Sequence, residues 1–203
     1  MLSLTRRKGE RITIGSDIEV TVLSVAGNRV RLGIRAPRQM PIYRAELVER
    51  IEQENRRALS SQLEGEVVSE QALVFPDGLF GMHEHKRFFL CEVSERTNCR
   101  ALVSERDPTV SLLVVDAIEV WPDYPVEAAR KAAGCGAGEL AVAAVVTAPA
   151  DGSPVSVNLA APIVVRLDTR EGRQVILEEE GLGIRHLMVS EQPADQSLEH
   201  RSA

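Results

Sequence analysis

The chain has 203 residues, 44% of them hydrophobic and 27% charged, with a formal net charge of −6 at pH 7. This composition predicts one large or two small globular domains. It excludes a membrane span, because no apolar run is long enough to cross a bilayer, and MLSLTRRKGE lacks the apolar core of a signal peptide. We therefore expect a cytoplasmic protein.

Charge divides the chain near residue 62. Residues 1–62 contain 12 Lys and Arg against 7 Asp and Glu, whereas residues 63–203 contain 12 against 23. A basic front half favours a polyanionic partner, and an acidic back half favours contact with the front half or with another protein. The polar stretch from Ser60 to Glu64, within ENRRALSSQLEGEVV, predicts a junction between two domains.

The first 44 residues alternate apolar and polar side chains, which predicts five short strands. Gly27-Asn28 between two such runs predicts a tight hairpin turn. From Arg44 to Leu59 the spacing becomes helical, with the pairs Glu46/Arg50 and Glu52/Arg56. So small a sheet buries little surface, and we expect an interlocked dimer.

Arginines in the front half stand on or beside predicted strands. Arg6 and Arg7 follow LSL, and Arg44 follows QMPIY. A guanidinium fork can hold a guanine edge or a phosphate at two points, so this placement favours single-stranded RNA. Spacing alone leaves open the alternative that these arginines are solvated surface charges.

The segment MLSLTRRKGERITIGSDIEVTVLSVAGNRVRLGIRAPRQMPIYRAELVERI resembles the CsrA family of carbon storage regulators along its whole length. The resemblance implies a domain-swapped homodimer, with the first strand of one chain beside the fifth strand of the other. It also implies pockets that bind GGA motifs in mRNA leaders and repress translation. The RNA-contacting residues carried over by position are Leu4, Thr5, Arg6, Arg7, Ala36, Pro37, Arg38, Ile42, Tyr43 and Arg44.

The back half contains many short strands separated by Pro, Gly, Asp and Asn, which predicts an antiparallel β-barrel-like domain. One short helix is expected from Pro125 to Ala133, closed by Gly134. NLAAPIVV is interpreted as a loop that feeds a buried strand. The predicted domains are residues 1–61 and 62–189, followed by a disordered tail at 190–203.

VFPDGLFGMHEHKRFFL and VNLAAPIVVRLDTREGRQVIL resemble two segments of the FliW family of flagellar assembly factors, although Phe80 and Met82 replace the usual Pro and aromatic residue. The resemblance implies binding of flagellin and of the regulator's C-terminal helix. The helix residues expected to bind are Val48, Ile51, Asn55, Arg57, Ala58 and Leu59. The flagellin-binding candidates are Phe75, Pro76, Gly78, Leu79, Trp121, Tyr124, Asn158 and Pro162.

Together these patterns predict a mostly β fusion protein that represses translation of mRNA, flagellin mRNA foremost. Its back domain is expected to sense flagellin and to control this repression. An alternative is a flagellin chaperone or scaffold, in which the front half serves only for dimerisation. The back domain could dock on the helix of its own chain, on that of the partner chain, or not at all. We expect no metal, because His83 and His85 lack an evident third ligand. We also expect no enzymatic activity and no cofactor, because the sequence has no glycine-rich phosphate loop, nucleophile elbow or paired catalytic carboxylates.

Overall fold

The front of the chain forms a three-stranded antiparallel sheet in the computed structural model, which describes residues 1–37, 40–60, 66–67, 71–93 and 98–188. Strands β1 (Arg11–Ile14), β2 (Ile18–Ala26) and β3 (Arg29–Arg35) pair in that order. Gly27 begins the β2–β3 turn with φ of 58°, as a type II′ hairpin requires. This sheet lies in the first of two compact units, Met1–Ile42 and Tyr43–Ala203.

Most apolar side chains of the front sheet remain exposed. Only Val22 among its strand residues is buried, while Val30 is 55% and Leu32 50% exposed. Residues 2–4 and 40–42 form no strand within the single chain. The family resemblance implies that the first and fifth strands pair between two chains, so the five-stranded swapped dimer stays a prediction.

The second unit combines one long helix with a large sheet. Helix α1 spans Ala45–Ala58. The strands that follow are β4 (Leu59–Ser60), β5 (Glu66–Val67), β6 (Leu73–Val74), β7 (Arg87–Glu92), β8 (Arg100–Ser104), β9 (Ser111–Asp116), β10 (Leu140–Thr147), β11 (Ser156–Arg166), β12 (Gly172–Gln174) and β13 (His186–Leu187). Two short helices, α2 (Ala117–Val120) and α3 (Val126–Ala132), lie between β9 and β10. The predicted helix near 125–133 is confirmed as α3, and α2 was not predicted.

The sheet curls into a nearly closed antiparallel barrel. Its order is β12-β11-β10-β9-β8-β7-β5, with β13 paired to β11, β4 to β9 and β6 to β7. A bridge between Val74 and Glu171 brings the β6 side of the sheet to the β12 side. The mostly β architecture expected from the sequence is therefore confirmed.

Strand β11 contains the segment that was interpreted as a loop, and that interpretation is wrong. Asn158 pairs with Val145 and Ile163 pairs with Ala143, so residues 159–162 bulge away from β10. Pro162 lies in this bulge, where it has no ladder hydrogen bond to donate. The side chain of Asn158 stabilises the bulge by accepting the Ala161 amide at 3.1 Å. The strand therefore continues through the motif.

Two apolar clusters stabilise the barrel. One contains Phe75, Leu79 and Phe88, and the other contains Tyr124 and Leu159. Strand β11 is buried along nearly its whole length because it contributes to both. Within the described residues, no helix is long and apolar enough to cross a membrane.

The unit boundary falls between Ile42 and Tyr43, so helix α1 belongs with the barrel. The predicted boundary at 61/62 instead assigns this helix to the front domain, following the family resemblance. Arg38, residues 61–64 of the predicted junction and the tail 190–203, for which predictions were made, lie outside the described residues, whereas Ser60, the first residue of that junction, lies in β4.

Candidate functional site: the helix groove of the barrel

Helix α1 lies on the barrel through one face. It packs on β9 and β10, and it buries Ile51, Glu54, Asn55 and Ala58. These positions recur every three or four residues, which places them on one side of a helix. The residues on the opposite, exposed face include Arg50 and the other basic side chains of the helix. The predicted amphipathic helix thus has its less polar face covered by its own chain.

Ile51 fills the centre of the helix groove, which is the surface of the barrel that receives α1. It is fully buried against Ala161 and Ile176. The partly buried side chains around this cluster are Tyr43, Leu47, Val48, Phe80 and Ile184. Burial of an Ile side chain contributes about 1.5–3 kcal/mol, so this single contact is enough to favour docking of the helix appreciably.

Asn55 forms a buried amide network with the barrel. Its Nδ2 donates to Gln174 Oε1 at 2.7 Å and to the Phe80 carbonyl at 2.9 Å. Gln174 Nε2 donates back to Asn55 Oδ1 at 3.3 Å and to the Ala161 carbonyl at 3.0 Å. The Phe80 amide also donates to Gln174 Oε1, at 3.1 Å. Both side-chain amides are therefore satisfied only while the helix is docked.

Glu54 places a carboxylate inside the same contact. It is 4% exposed, and its Oε2 accepts from Arg185 Nε at 2.7 Å. Thr147 Oγ1 donates to Oε1 at 3.2 Å, and Arg57 lies 3.7 Å away on the next helical turn. A buried carboxylate is tolerated only with such partners. The pair with Arg185 therefore fixes the register of the helix on the barrel.

The loop after β6 covers the helix at Gly81. Gly81 has φ of 77°, and a Cβ atom there would lie 3.2 Å from the Glu52 carbonyl oxygen. Glycine thus permits both the backbone conformation and the close approach to the helix. His83 Nε2 lies 3.4 Å from Glu52 Oε1 in the same contact. The FPDGLFG segment is therefore part of the helix groove.

The predicted helix contacts separate into buried and exposed residues. Ile51, Asn55 and Ala58 are buried, whereas Val48 and Leu59 are partly buried. Arg57 is exposed, with Glu54 as its ion-pair partner. Sequence analysis did not identify Glu54, Gln174 or the other barrel side chains that receive the helix. Gln174 stands in a FliW-like segment, and that position was its only signal.

The predicted RNA-contacting residues fall in both compact units. Leu4, Thr5, Arg6 and Arg7 are exposed in the first unit, as is Ile42. Ala36 and Pro37 are half-buried in the same unit. Their role in RNA binding stays a prediction.

Tyr43 and Arg44 belong to the second unit and contact the barrel. The Tyr43 ring packs edge-on against Phe80, with centroids 6.0 Å apart. Burial raises the pKa of Tyr43, an effect opposed by a hydrogen bond from the Ile176 backbone and by the charge of Arg173. Arg44 Nε donates to Glu178 Oε1 at 3.1 Å.

The candidate flagellin-binding residues are mostly part of the barrel's interior. The buried ones are Phe75, Leu79, Tyr124, Asn158 and Pro162. Tyr124 donates its hydroxyl to the Leu159 carbonyl at 2.7 Å, which supports the strand bulge. Pro76 is exposed, and Gly78 and Trp121 are partly exposed. Only these three present surface to a partner in this conformation, and flagellin binding by all eight stays a prediction.

Comparison with known proteins gives two separate matches. The family model described as CsrA, a global regulator protein family, matches residues 1–53. Translational regulator CsrA of Lachnoclostridium phytofermentans is 41% identical over 69 residues, which cover 34% of this chain and 96% of that protein. Translational regulator CsrA of Thermotoga petrophila is 55% identical over 58 residues, covering 29% and 70% of the two chains.

The second match is to the FliW family model, over residues 58–188. A crystal structure of the flagellar assembly factor FliW shares the fold with a TM-score of 0.52 at 22% identity, covering 63% of this chain and 94% of that one. Neither family is enzymatic. The chain therefore belongs to the CsrA global regulators over residues 1–53 and to the FliW proteins over residues 58–188, as a natural fusion of the two.

Proposed function

We propose that this chain is a cytoplasmic translational regulator that carries its own antagonist. Its CsrA-like region, residues 1–53, binds GGA motifs in mRNA leaders, that of flagellin mRNA foremost, as a homodimer. Its barrel binds flagellin and, in the absence of flagellin, holds helix α1 of the same chain. Free flagellin thereby sets how strongly the regulator represses.

The burial of helix α1 on the barrel carries this proposal. A regulator's helix and an assembly factor's barrel are here joined through a matched polar network, Asn55 with Gln174 and Glu54 with Arg185. Such a network is satisfied in only one register, so it supports a specific contact rather than a chance one. Docking within one chain also needs no encounter between separate molecules.

The continuity between helix and sheet favours docking in the same chain. Leu59 and Ser60 pair with Leu112 and Ser111 of β9 directly after α1 ends. The helix therefore has no slack linker before the barrel, and its C-terminal end is held in place. Release by flagellin must begin at the other end, near Tyr43.

The test is RNA binding by the full chain, measured by fluorescence anisotropy with a hairpin that presents GGA in its loop. We expect binding that is lost when GGA is changed to CCA and weakened at least tenfold by Arg44→Ala, which removes one charge-assisted contact. Arg50→Ala, a change of the same kind at an exposed helix position, is the control and should leave binding near wild type.

Purified flagellin provides the second arm of this test. We expect added flagellin to tighten RNA binding by the wild-type chain. RNA binding that is absent from every sample would contradict the regulator function and favour the alternative, a flagellin chaperone or scaffold. RNA binding that flagellin leaves unchanged would contradict the coupling alone.

A further inference from the structure

The first residues of the second unit are bound by the barrel before the helix begins. Arg44 is the N-cap residue of α1, and its carbonyl accepts from the Leu47 and Val48 amides. Its side chain turns to the barrel, where Nε donates to Glu178 Oε1 at 3.1 Å. Tyr43, one residue earlier, packs against Phe80. Both side chains that end the predicted RNA-reading strand therefore have protein partners.

The Arg44–Glu178 pair offers the arginine what RNA would offer it. A carboxylate and a phosphate both accept from a guanidinium through two anionic oxygens, and a guanine edge accepts through O6 and N7. An Arg44 that donates to Glu178 has fewer donors free for such a ligand. Glu178 also begins an exposed run of three glutamates, residues 178–180, which repels phosphate.

We propose that Glu178 is an internal competitor for RNA, which holds Arg44 while the site is empty and must release it when RNA binds. This inference rests on the proposed RNA-binding function and adds its regulation. Binding is then an exchange of one anionic partner for another at the same guanidinium. Competition of this kind takes place within one chain and acts on Arg44, the residue that is expected to contact RNA.

The strength of the pair sets the size of the expected effect. Arg44 and Glu178 have side chains 63% and 51% exposed, and exposed ion pairs are weak because solvent and salt screen them. A single pair of this kind shifts a binding equilibrium by about two- to fivefold. Glu178 therefore tunes RNA affinity and does not abolish it, which suits a regulator that must respond to a further signal.

Docking and RNA binding are linked through the same contact. If RNA draws Arg44 from Glu178, it weakens docking of the N-terminal end of the helix. By linkage, undocking of that end strengthens RNA binding by the same factor by which RNA weakens docking. Coupling between the barrel and the RNA site thus originates at the Arg44–Glu178 pair.

The test compares Glu178→Gln with Glu180→Gln in the full chain. Both variants remove one negative charge from the same exposed run, and only the first neutralises the carboxylate that pairs with Arg44. With the GGA hairpin we expect Glu178→Gln to lower Kd about two- to fivefold, and Glu180→Gln to change it by less than half of that. Equal values of Kd in the two variants would overturn the inference.

A second comparison removes Arg44. In the Arg44→Ala background, Glu178→Gln should give no more improvement than Glu180→Gln, because the ion pair that it would weaken is already gone. A Glu178→Gln effect that persists without Arg44 would show general repulsion and overturn the inference, while Arg44-dependent RNA binding would leave the proposed function standing. No RNA binding in any variant would overturn both.

Discussion

Asn55 of helix α1 and Gln174 of strand β12 exchange side-chain hydrogen bonds, at 2.7 Å in one direction and 3.3 Å in the other. Both side chains are at least nine-tenths buried. Each amide has a donor and an acceptor to satisfy, and an exchange of this kind pairs both at once. The helix therefore cannot leave the barrel without exposing Gln174, nor accept a side chain of different hydrogen-bonding character at position 55.

Asn55→Asp should weaken helix docking by about 2–4 kcal/mol. The new carboxylate faces the Phe80 carbonyl and Gln174 Oε1, two acceptors that now receive the Asn55 amide. Urea unfolding followed by Trp121 fluorescence measures the loss, since the only tryptophan lies in the barrel unit. Gln53→Glu makes the same change at an exposed position of α1 and should have little effect. Equal losses in the two variants would contradict the network.

Arg185→Ala should cost more stability than Glu54→Gln, although both break the same ion pair. Glu54 is buried, so removal of Arg185 leaves its carboxylate, among the described residues, with Thr147 and with the Arg57 guanidinium 3.7 Å away as partners. Arg185 is half exposed and can regain water when Glu54 is neutral. We expect losses of about 2–4 and about 1 kcal/mol respectively.

Urea unfolding of both variants at neutral pH measures this order. Glu49→Gln, at an exposed position of the same helix, controls for the change in net charge. The reverse order of the two losses would show that Arg185, and not Glu54, depends on the pair.

Local patterns predicted the helix but not what receives it. The helical spacing from Arg44 to Leu59 identified Ile51 and Ala58, since periodicity reports which side chains share a face, whereas Asn55 was expected from the family resemblance. Gln174, Arg185 and Glu178 are 119, 131 and 134 residues away from their partners on the helix segment. No spacing rule connects residues so distant, because folding of the whole barrel brings them together.

The FliW-like segments were recognised correctly, but their structural role was only partly predicted. The resemblance implies flagellin contact at these segments, which stays a prediction, and the structure adds that Phe80, Gly81, Ala161 and Gln174 form the groove for α1. The apolar residues of the same segments, such as Phe75 and Leu79, are core residues. A sequence motif shows which segment matters. Burial in the folded structure shows whether a side chain of that segment contacts a partner or supports the backbone from the core.

The two tyrosines should ionise only at strongly alkaline pH. Burial raises the pKa of Tyr43 and raises that of Tyr124 further. Because the folded-state pKa values lie above the unfolded value of about 10, the associated stability is fully present below pH 10 and is lost as the pH rises through the folded values. Ultraviolet absorbance of phenolate, recorded with and without urea, measures both states.

Tyr43→Phe separates the two groups in this titration. The remaining phenol, Tyr124, should then ionise in the native protein at a higher pH than the first phenol of the wild type. A native protein whose tyrosines both titrate near pH 10 would contradict the burial of Tyr43 against Phe80 and of Tyr124 in the barrel core.

Gly81→Ala should loosen the loop that covers α1. Alanine at φ of 77° pays the cost of a left-handed backbone, about 1 kcal/mol, and its Cβ would also press on the Glu52 carbonyl at 3.2 Å. Gly152→Ala is a matched control, because Gly152 has φ of 80° and no neighbour within 4 Å of the added atom. We expect losses of about 2–3 and about 1 kcal/mol in urea unfolding. The difference between the two variants measures the contact with the helix, and no difference would mean that Gly81 serves the turn alone.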